Sequence, residues 1–208
     1  MNYLITGGCG FIGSNFILNC LASGNNIKIV DKMTYAGNVE FLKSIALNKK
    51  CHFIKGDIKD KALMKSILMS FRPDVIVNFA AESHVDNSID SPDVFIETNI
   101  VGTFNLLQVT REYFEKVNLD MIFLHVSTDE VYGSLGDKGY FTEDTPYDPR
   151  SPYSASKAAS DHLVKAFYHT YGLPIKVTNC SNNYGKWQND EKLIPKIILN
   201  TLQKKEIP

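Results

Sequence analysis

Long apolar runs are missing from this 208-residue chain. No stretch approaches the ~18 consecutive apolar residues of a membrane-spanning helix, so no membrane association is expected. An excess of one charge is missing too. Lys and Arg total 22 against 23 Asp and Glu, a formal net charge of −1, which leaves no basic footprint for nucleic acid. The opening Met1-Asn2-Tyr3-Leu4-Ile5-Thr6 has no basic segment ahead of a long apolar one, so no export signal is read there. Paired cysteines are lacking: Cys9, Cys20, Cys51 and Cys180 form no C-x-x-C, and the five histidines are scattered. No metal site is expected. Four reduced thiols and no export signal point to the cytoplasm. What remains is ordinary for a soluble globular domain, with 44% hydrophobic and 22% charged residues.

Short apolar or β-branched runs alternate with longer segments of helical period. The pattern predicts strands at 3–6, 27–30, 52–54, 75–79, 122–126 and 175–178. Helices are predicted at 11–22, 39–46, 61–70, 94–116, 154–171 and 192–204, and a further strand signal begins near Glu206-Ile207. Six strands each followed by a helix give an α/β fold, a doubly wound parallel sheet with helices on both faces. The strands read as nearly continuous apolar runs, which implies burial on both sides. The connection from Gly133 to Arg150 is longer than usual, and loops of that length are usually functional or mobile.

The first strand runs into Gly7-Gly8-Cys9-Gly10-Phe11-Ile12-Gly13, a G-x-x-G-x-x-G between strand and helix. Gly7, Gly10 and Gly13 permit a tight turn and close backbone approach to a pyrophosphate, while the helix start offers free N–H groups and a positive dipole end. A glycine motif alone is weak, but the strand before it and the helix after it are the context that gives it meaning. The second strand ends at Asp31, placed to bind ribose hydroxyls. A carboxylate there repels a 2′-phosphate, so NAD is favoured over NADP, with the adjacent Lys32 weakening that preference slightly. Asp57, after the third strand, is placed to accept an adenine amino group, and Ala80 and Ala81, after the fourth, leave room for a cofactor.

The fifth strand runs into Ser127-Thr128-Asp129-Glu130, and Tyr153 precedes Lys157 by one helical turn. A nearby ammonium and a cationic nicotinamide ring would lower the phenol pKa from near 10 and make Tyr153 a base toward a sugar hydroxyl, with Thr128 on the same oxygen. Y-x-x-x-K is common by chance and gains weight only beside the glycine motif. Adjacent carboxylates are often just a solvated acidic turn. Yet elimination of water needs an acid and a base of different pKa, which Asp129 and Glu130 would supply if the backbone left strand geometry there.

Taken together, the segments T-G-G-x-G-F-I-G-S at 6–14, D-K-x-T-Y-A-G-N at 31–38, A-A-E-S-H-V-D-x-S-I at 80–89, S-T-D-E-V-Y-G at 127–133, Y-S-A-S-K at 153–157 and S-N-N-Y-G at 181–185 carry a resemblance over essentially the whole chain. The chain resembles the extended short-chain dehydrogenase/reductases, and within them the 4,6-dehydratases of dTDP-glucose. The resemblance implies a Rossmann-type fold, a tightly held NAD and a homodimer through the helices at 94–116 and 154–171. It implies that Tyr153, helped by Lys157 and Thr128, deprotonates the sugar 4-hydroxyl as hydride leaves C4. Glu130 would then abstract the C5 proton, Asp129 would protonate the departing C6 hydroxyl, and hydride would return to C6. By the same matching, Phe11, Ile12, Asp31, Lys32, Thr34 and Asp57 would line the NAD site. Ile58, Ala80, Ala81, Ser83, Thr98 and Asn183 would complete it. Ser83, Thr128, Asn182, Lys192 and Leu193 would meet the substrate.

Two segments depart from the family pattern: Lys186-Trp187 stands where Pro and an aromatic residue are usual, and Asn189-Asp190 where Phe-Pro is common. Family members also carry a nucleotide-sugar domain that would follow residue 208, so residues 1–208 read as the NAD-binding and chemistry domain with the substrate domain absent. Two other readings stand beside a dTDP-glucose dehydratase. One is a dehydratase or epimerase of another nucleotide sugar, the other an NAD-binding module without turnover.

Overall fold

A computed structural model describes residues 1–136 and 139–207; Asp137 and Lys138 of the long connection lie outside the described residues. Six parallel strands form one sheet: β1 (Asn2–Thr6), β2 (Asn26–Asp31), β3 (Cys51–Lys55), β4 (Val75–Asn78), β5 (Ile122–Thr128) and β6 (Ile175–Cys180). Their spatial order is β3-β2-β1-β4-β5-β6, with Tyr3 opposite Ile27 on one side and Val75 on the other. The order reverses between β1 and β4. Connections leave those two strands in opposite directions, which opens a crevice at their carboxyl ends.

Successive strand residues serve opposite faces. Leu4 and Ile76 join the cluster under α3 (Lys61–Phe71), α6 (Thr103–Lys116) and α7 (Pro152–Tyr171). Ile5 and Val77 join the cluster under α1 (Phe11–Ala22) and α2 (Val39–Ile45). Burial on both faces holds for the central strands and fails at the edges. His52 and Phe53 of β3 are exposed, and β6 has no fully buried residue. An edge strand lacks a neighbour on one side, and the last helix, α8 (Leu193–Leu202), buries none of its residues.

Local chemistry accounts for several boundaries. Asn38 and Asp60 accept from the backbone N–H of Phe41 and Leu63, capping α2 and α3. Ser151 and Ser154 cap α7 reciprocally, with Pro152 in its first turn. The helix expected over 94–116 is present and runs without a gap from Pro92 to Lys116, as α5 (Pro92–Phe95), a π-helical segment Ile96–Gly102 and α6, with a separate short helix α4 (Val85–Asp90) ahead of it. The wide turn brings Asn99 inward, where its amide donates to Glu82 O at 3.0 Å and Ser156 Oγ at 2.8 Å while its carbonyl accepts from Glu82 N at 2.9 Å. Such π segments are frequent beside functional sites. The strand signal at Glu206-Ile207 is not realised; those residues are irregular.

Candidate active site

A cavity of about 360 Å³ occupies the crevice at the strand ends. Its cofactor wall begins at the turn after β1. Gly7 has φ +67°, and a Cβ there would run into the backbone of Phe79 and Ala80 at the end of β4. A Cβ on Gly13 would sit 2.7 Å from Gly7 O and 2.8 Å from Gly8 Cα, so only glycine lets α1 pack this closely on the turn. Gly10 begins α1 and no side chain caps it, which leaves the helix start available to an anion. Asp31 tightens the same turn: its two oxygens accept from Cys9 N and Met33 N, each at 2.8 Å. Lys32 is drawn away into an ion pair with Asp57 at 3.1 Å. The glycine cradle, the uncapped helix start and the acid after β2 fit a dinucleotide.

The chemical wall follows from how β5 ends. After Thr128 the backbone turns into a 3-10 helix over Asp129–Tyr132, with Glu130 N donating to Thr128 Oγ1 at 3.3 Å. The departure from strand geometry that the carboxylate pair required is therefore present. Thr128, Glu130, Tyr153 and Lys157 line the cavity together. Partial burial and the Asp129 charge push the Glu130 pKa up, with Lys192 opposing, which strengthens Glu130 as a proton acceptor.

Tyr153 is 8% exposed and lies edge-on to Phe95. Burial first, and the Glu130 charge second, push its phenol up to about 12, against a lowering by the Thr128 hydroxyl. Lys157 is not among the groups that move the phenol here, and the lowering expected from the sequence required the cationic nicotinamide ring beside it. Lys157 Nζ donates to Val126 O at 2.8 Å, and burial pushes the ammonium itself down to about 8. The remaining positive influence would have to come from a bound cofactor.

Every residue expected at the cofactor lines this cavity, from Gly7, Phe11 and Ile12 through Thr34, Ile58, Ala81 and Ser83 to Thr98 and Asn183. Of the expected substrate contacts, Asn182 and Lys192 line it as well. Asp129 and Leu193 are not part of the lining. Asp129 accepts from Thr128 Oγ1 at 3.4 Å beside the cavity, and Leu193 is exposed at the start of α8. Sequence reasoning missed Glu82 and Glu191 in the wall; His84 Nε2 reaches Glu191 at 3.5 Å and ties two loops together. The unusual Lys186-Trp187 has a local explanation. The Trp187 ring meets Phe41 of α2 edge-on, Lys186 Nζ lies 4.7 Å from that ring's centre, and Asn15 holds Lys186 O at 2.8 Å.

Residues 4–208 match the family described as GDP-mannose 4,6 dehydratase. The chain belongs to that family. A dTDP-glucose 4,6-dehydratase of Xanthomonas campestris pv. campestris strain B100 is 55% identical over 210 residues, 99% of this chain and 60% of the relative. The Salmonella typhimurium enzyme of that name is 49% identical over 222 residues, 100% of this chain and 62% of the relative. Among solved structures, a dTDP-glucose 4,6-dehydratase from Bacillus anthracis in complex with NAD superposes with TM-score 0.90 at 46% identity, covering 100% of this chain and 63% of that one. A UDP-glucose 4-epimerase from Thermotoga maritima with UDP-glucose gives TM-score 0.88 at 29% identity, covering 99% and 64%. This member of the GDP-mannose 4,6 dehydratase family therefore spans about 60% of the length of the curated relatives it matches.

Proposed function

We propose that this chain is the NAD-binding and catalytic part of a dTDP-glucose 4,6-dehydratase. The observation that carries the reading is the 3-10 turn after β5, which sets Glu130 into one cavity wall with Thr128, Tyr153 and Lys157. A nicotinamide dinucleotide held by the glycine turn and Asp31 would supply a hydride acceptor that later returns the hydride. Tyr153 takes the proton of the sugar 4-hydroxyl, with the Thr128 hydroxyl on the same oxygen. A ketone at C4 gives the C5 carbanion an acceptor for its charge, so oxidation has to come first. Glu130 then removes the C5 proton, and Asp129 protonates the C6 hydroxyl as it departs. The product is the 4-keto-6-deoxy sugar.

The domain division belongs to this proposal: residues 1–208 supply cofactor and chemistry, and a nucleotide-sugar domain completes the site. So do the homodimer through α6 and α7 and the cytoplasmic location. The described residues contain no helix long and apolar enough to cross a membrane.

Incubating the protein, completed by a nucleotide-sugar domain, with NAD and dTDP-, UDP-, GDP- or CDP-glucose, with mass spectrometry for loss of water, tests the reading. Water lost from the dTDP sugar is expected, and that loss is to disappear in Glu130→Gln. Water lost from the UDP sugar alone would overturn the nucleotide assignment. NAD binding with no turnover in the protein completed by its substrate domain would leave a binding module.

A further inference from the structure

Behind the chemical wall lies a closed set of polar side chains that the mechanism above does not use. Asp161 of α7 is fully buried, as are Asn78 and His125 in the sheet and Ser160 beside it. The hydrogen bonds fix where each proton sits. Thr6 Oγ1 donates to Asn78 Oδ1 at 2.7 Å, so the Asn78 amide faces His125 Nδ1 at 3.2 Å. Nδ1 then accepts, and the proton of the neutral ring is on Nε2. Nε2 lies 3.2 Å from Ser160 Oγ and 3.3 Å from Asp161 Oδ1, and Ser160 Oγ donates onward to Lys157 O at 2.8 Å.

Asp161 Oδ2 receives three donors: Ser127 Oγ at 2.8 Å, Tyr147 OH at 3.0 Å and Asn179 Nδ2 at 3.3 Å. Hydroxyl, phenol and amide all give protons to this carboxyl, and none asks for one. The carboxyl is therefore an anion. A buried anion with a neutral histidine beside it needs a cation elsewhere. Two lysines flank Asp161 on α7, one turn to either side. Lys165 Nζ reaches it only through the Tyr147 hydroxyl, at 3.2 Å. Lys157 is 4% exposed and enclosed in the cavity wall.

We infer that Asp161 is a positioning residue that keeps Lys157 an ammonium, supplying the buried countercharge that lets this lysine stay protonated behind the catalytic tyrosine. The inference rests on the role of Lys157 proposed above. In agreement, the Asp161 charge raises the lysine's proton affinity while burial lowers it. The other titratable groups near the pair are His125 from β5, Cys180 from β6, Tyr132 from the 3-10 turn, Tyr147 from the loop before α7, and Tyr153 and Lys165 on α7 itself. His125 is held neutral by burial, and burial keeps the Tyr132 and Tyr147 phenols protonated. Asp161 is the buried carboxylate on Lys157's own helix, one turn away, that answers the ammonium.

Asp161→Asn is a near isostere here. Its carbonyl can take the position of Oδ2 and its three donors, while its amide at the Oδ1 position would face the N–H of His125 Nε2, 3.3 Å away, so folding of the variant is checked first. The test follows the Lys157 Cε resonance in 13C-lysine-labelled protein against pH, assigned by its loss in Lys157→Arg. In Asp161→Asn the proton affinity of Lys157 is expected to fall about tenfold or more. An unchanged titration in folded Asp161→Asn would overturn the inference. Should that variant not fold, the Asp161 carboxyl carbon of the wild-type protein decides: it is expected to stay ionised down to below pH ~3.9, the ordinary value, and protonation above that pH overturns the inference. Both readings are independent of turnover, so they stand or fall apart from the proposed dehydratase activity. Where turnover is measured, the alkaline limb of kcat/KM moves to lower pH in Asp161→Asn.

Discussion

The side chain of Asn99 joins Ser156 at 2.8 Å, linking the π-helical segment to α7 one residue before Lys157. The same side chain holds both backbone groups of Glu82, at 2.9 and 3.0 Å. One amide thereby fixes the β4 loop, whose Ala80, Ala81 and Ser83 line the cavity, against the helix that carries Tyr153. Asn99→Ala would leave partly buried donors and acceptors unpaired, at about 1–3 kcal/mol for each. Urea denaturation is expected to show a loss of about 2–4 kcal/mol, with NAD affinity falling alongside. Wild-type stability in this variant would mean that water replaces the amide without penalty.

Glycines 10 and 13 separate the packing role of the turn from its ligand role. A Cβ at Gly13 meets backbone at 2.7 and 2.8 Å, which cannot move aside, so Gly13→Ala should destabilise the fold by about 1–3 kcal/mol. A Cβ at Gly10 finds only Gly7 O, at 3.4 Å, and its φ of −73° suits alanine. Gly10→Ala is therefore expected to keep its melting temperature and lose NAD affinity in calorimetry, because the methyl group points where a pyrophosphate must approach. Unchanged affinity would place the phosphates elsewhere.

Lys32 sits next to Asp31 and would invite a 2′-phosphate, yet its ammonium lies 3.1 Å from Asp57. Asp57→Asn releases it. The ratio of NADP to NAD affinity is expected to rise by about two- to fivefold, the scale of an exposed ion pair worth roughly 0.2–1 kcal/mol. The shift should shrink at high salt. A ratio that stays fixed in titrations of both cofactors would show that Asp31 alone sets the preference.

All six strands, the glycine turn and Tyr153 with Lys157 were legible because each follows from a short local rule: a continuous apolar run, glycines between strand and helix, a helical turn's spacing. The π-helical stretch inside the 94–116 helix was not legible. Its apolar period continues through Ile96–Gly102, and the bonds of Asn99 to Glu82 and Ser156 that accompany the wide turn are tertiary. Lys157 shows the other limit. Sequence spacing puts it one turn from Tyr153, but its hydrogen-bond partner is the carbonyl of Val126, set by how β5 meets α7. The polar set around Asp161 draws residues from β1, β4, β5, β6 and α7, and no periodicity announces it.

His125 makes stability depend on pH in a window separate from the carboxylates. Burial and the Lys157 charge hold its folded pKa down to about 4, against the Asp161 charge that raises it. The unfolded chain has an ordinary histidine near 6.5. Between these values the unfolded state binds a proton that the folded state refuses, so folding stability declines as pH falls from 6.5 toward 4. Above pH 6.5 both states are neutral and the effect vanishes. Asp161 acts in the same direction but lower. Burial pushes its folded pKa up, but His125, the Lys157 charge and the Ser127 hydroxyl outweigh this and hold it down, so its contribution is complete above the unfolded value of ~3.9 and disappears as pH drops through the folded one. The histidine effect is on the order of 3 kcal/mol across its window. Urea midpoints measured between pH 4 and 7.5 are expected to fall toward acid in the wild-type chain. In His125→Gln, which keeps a side-chain amide near Asn78 and cannot titrate, the slope between pH 6.5 and 4.5 should flatten. Parallel slopes in the two proteins would assign the acid sensitivity to other groups.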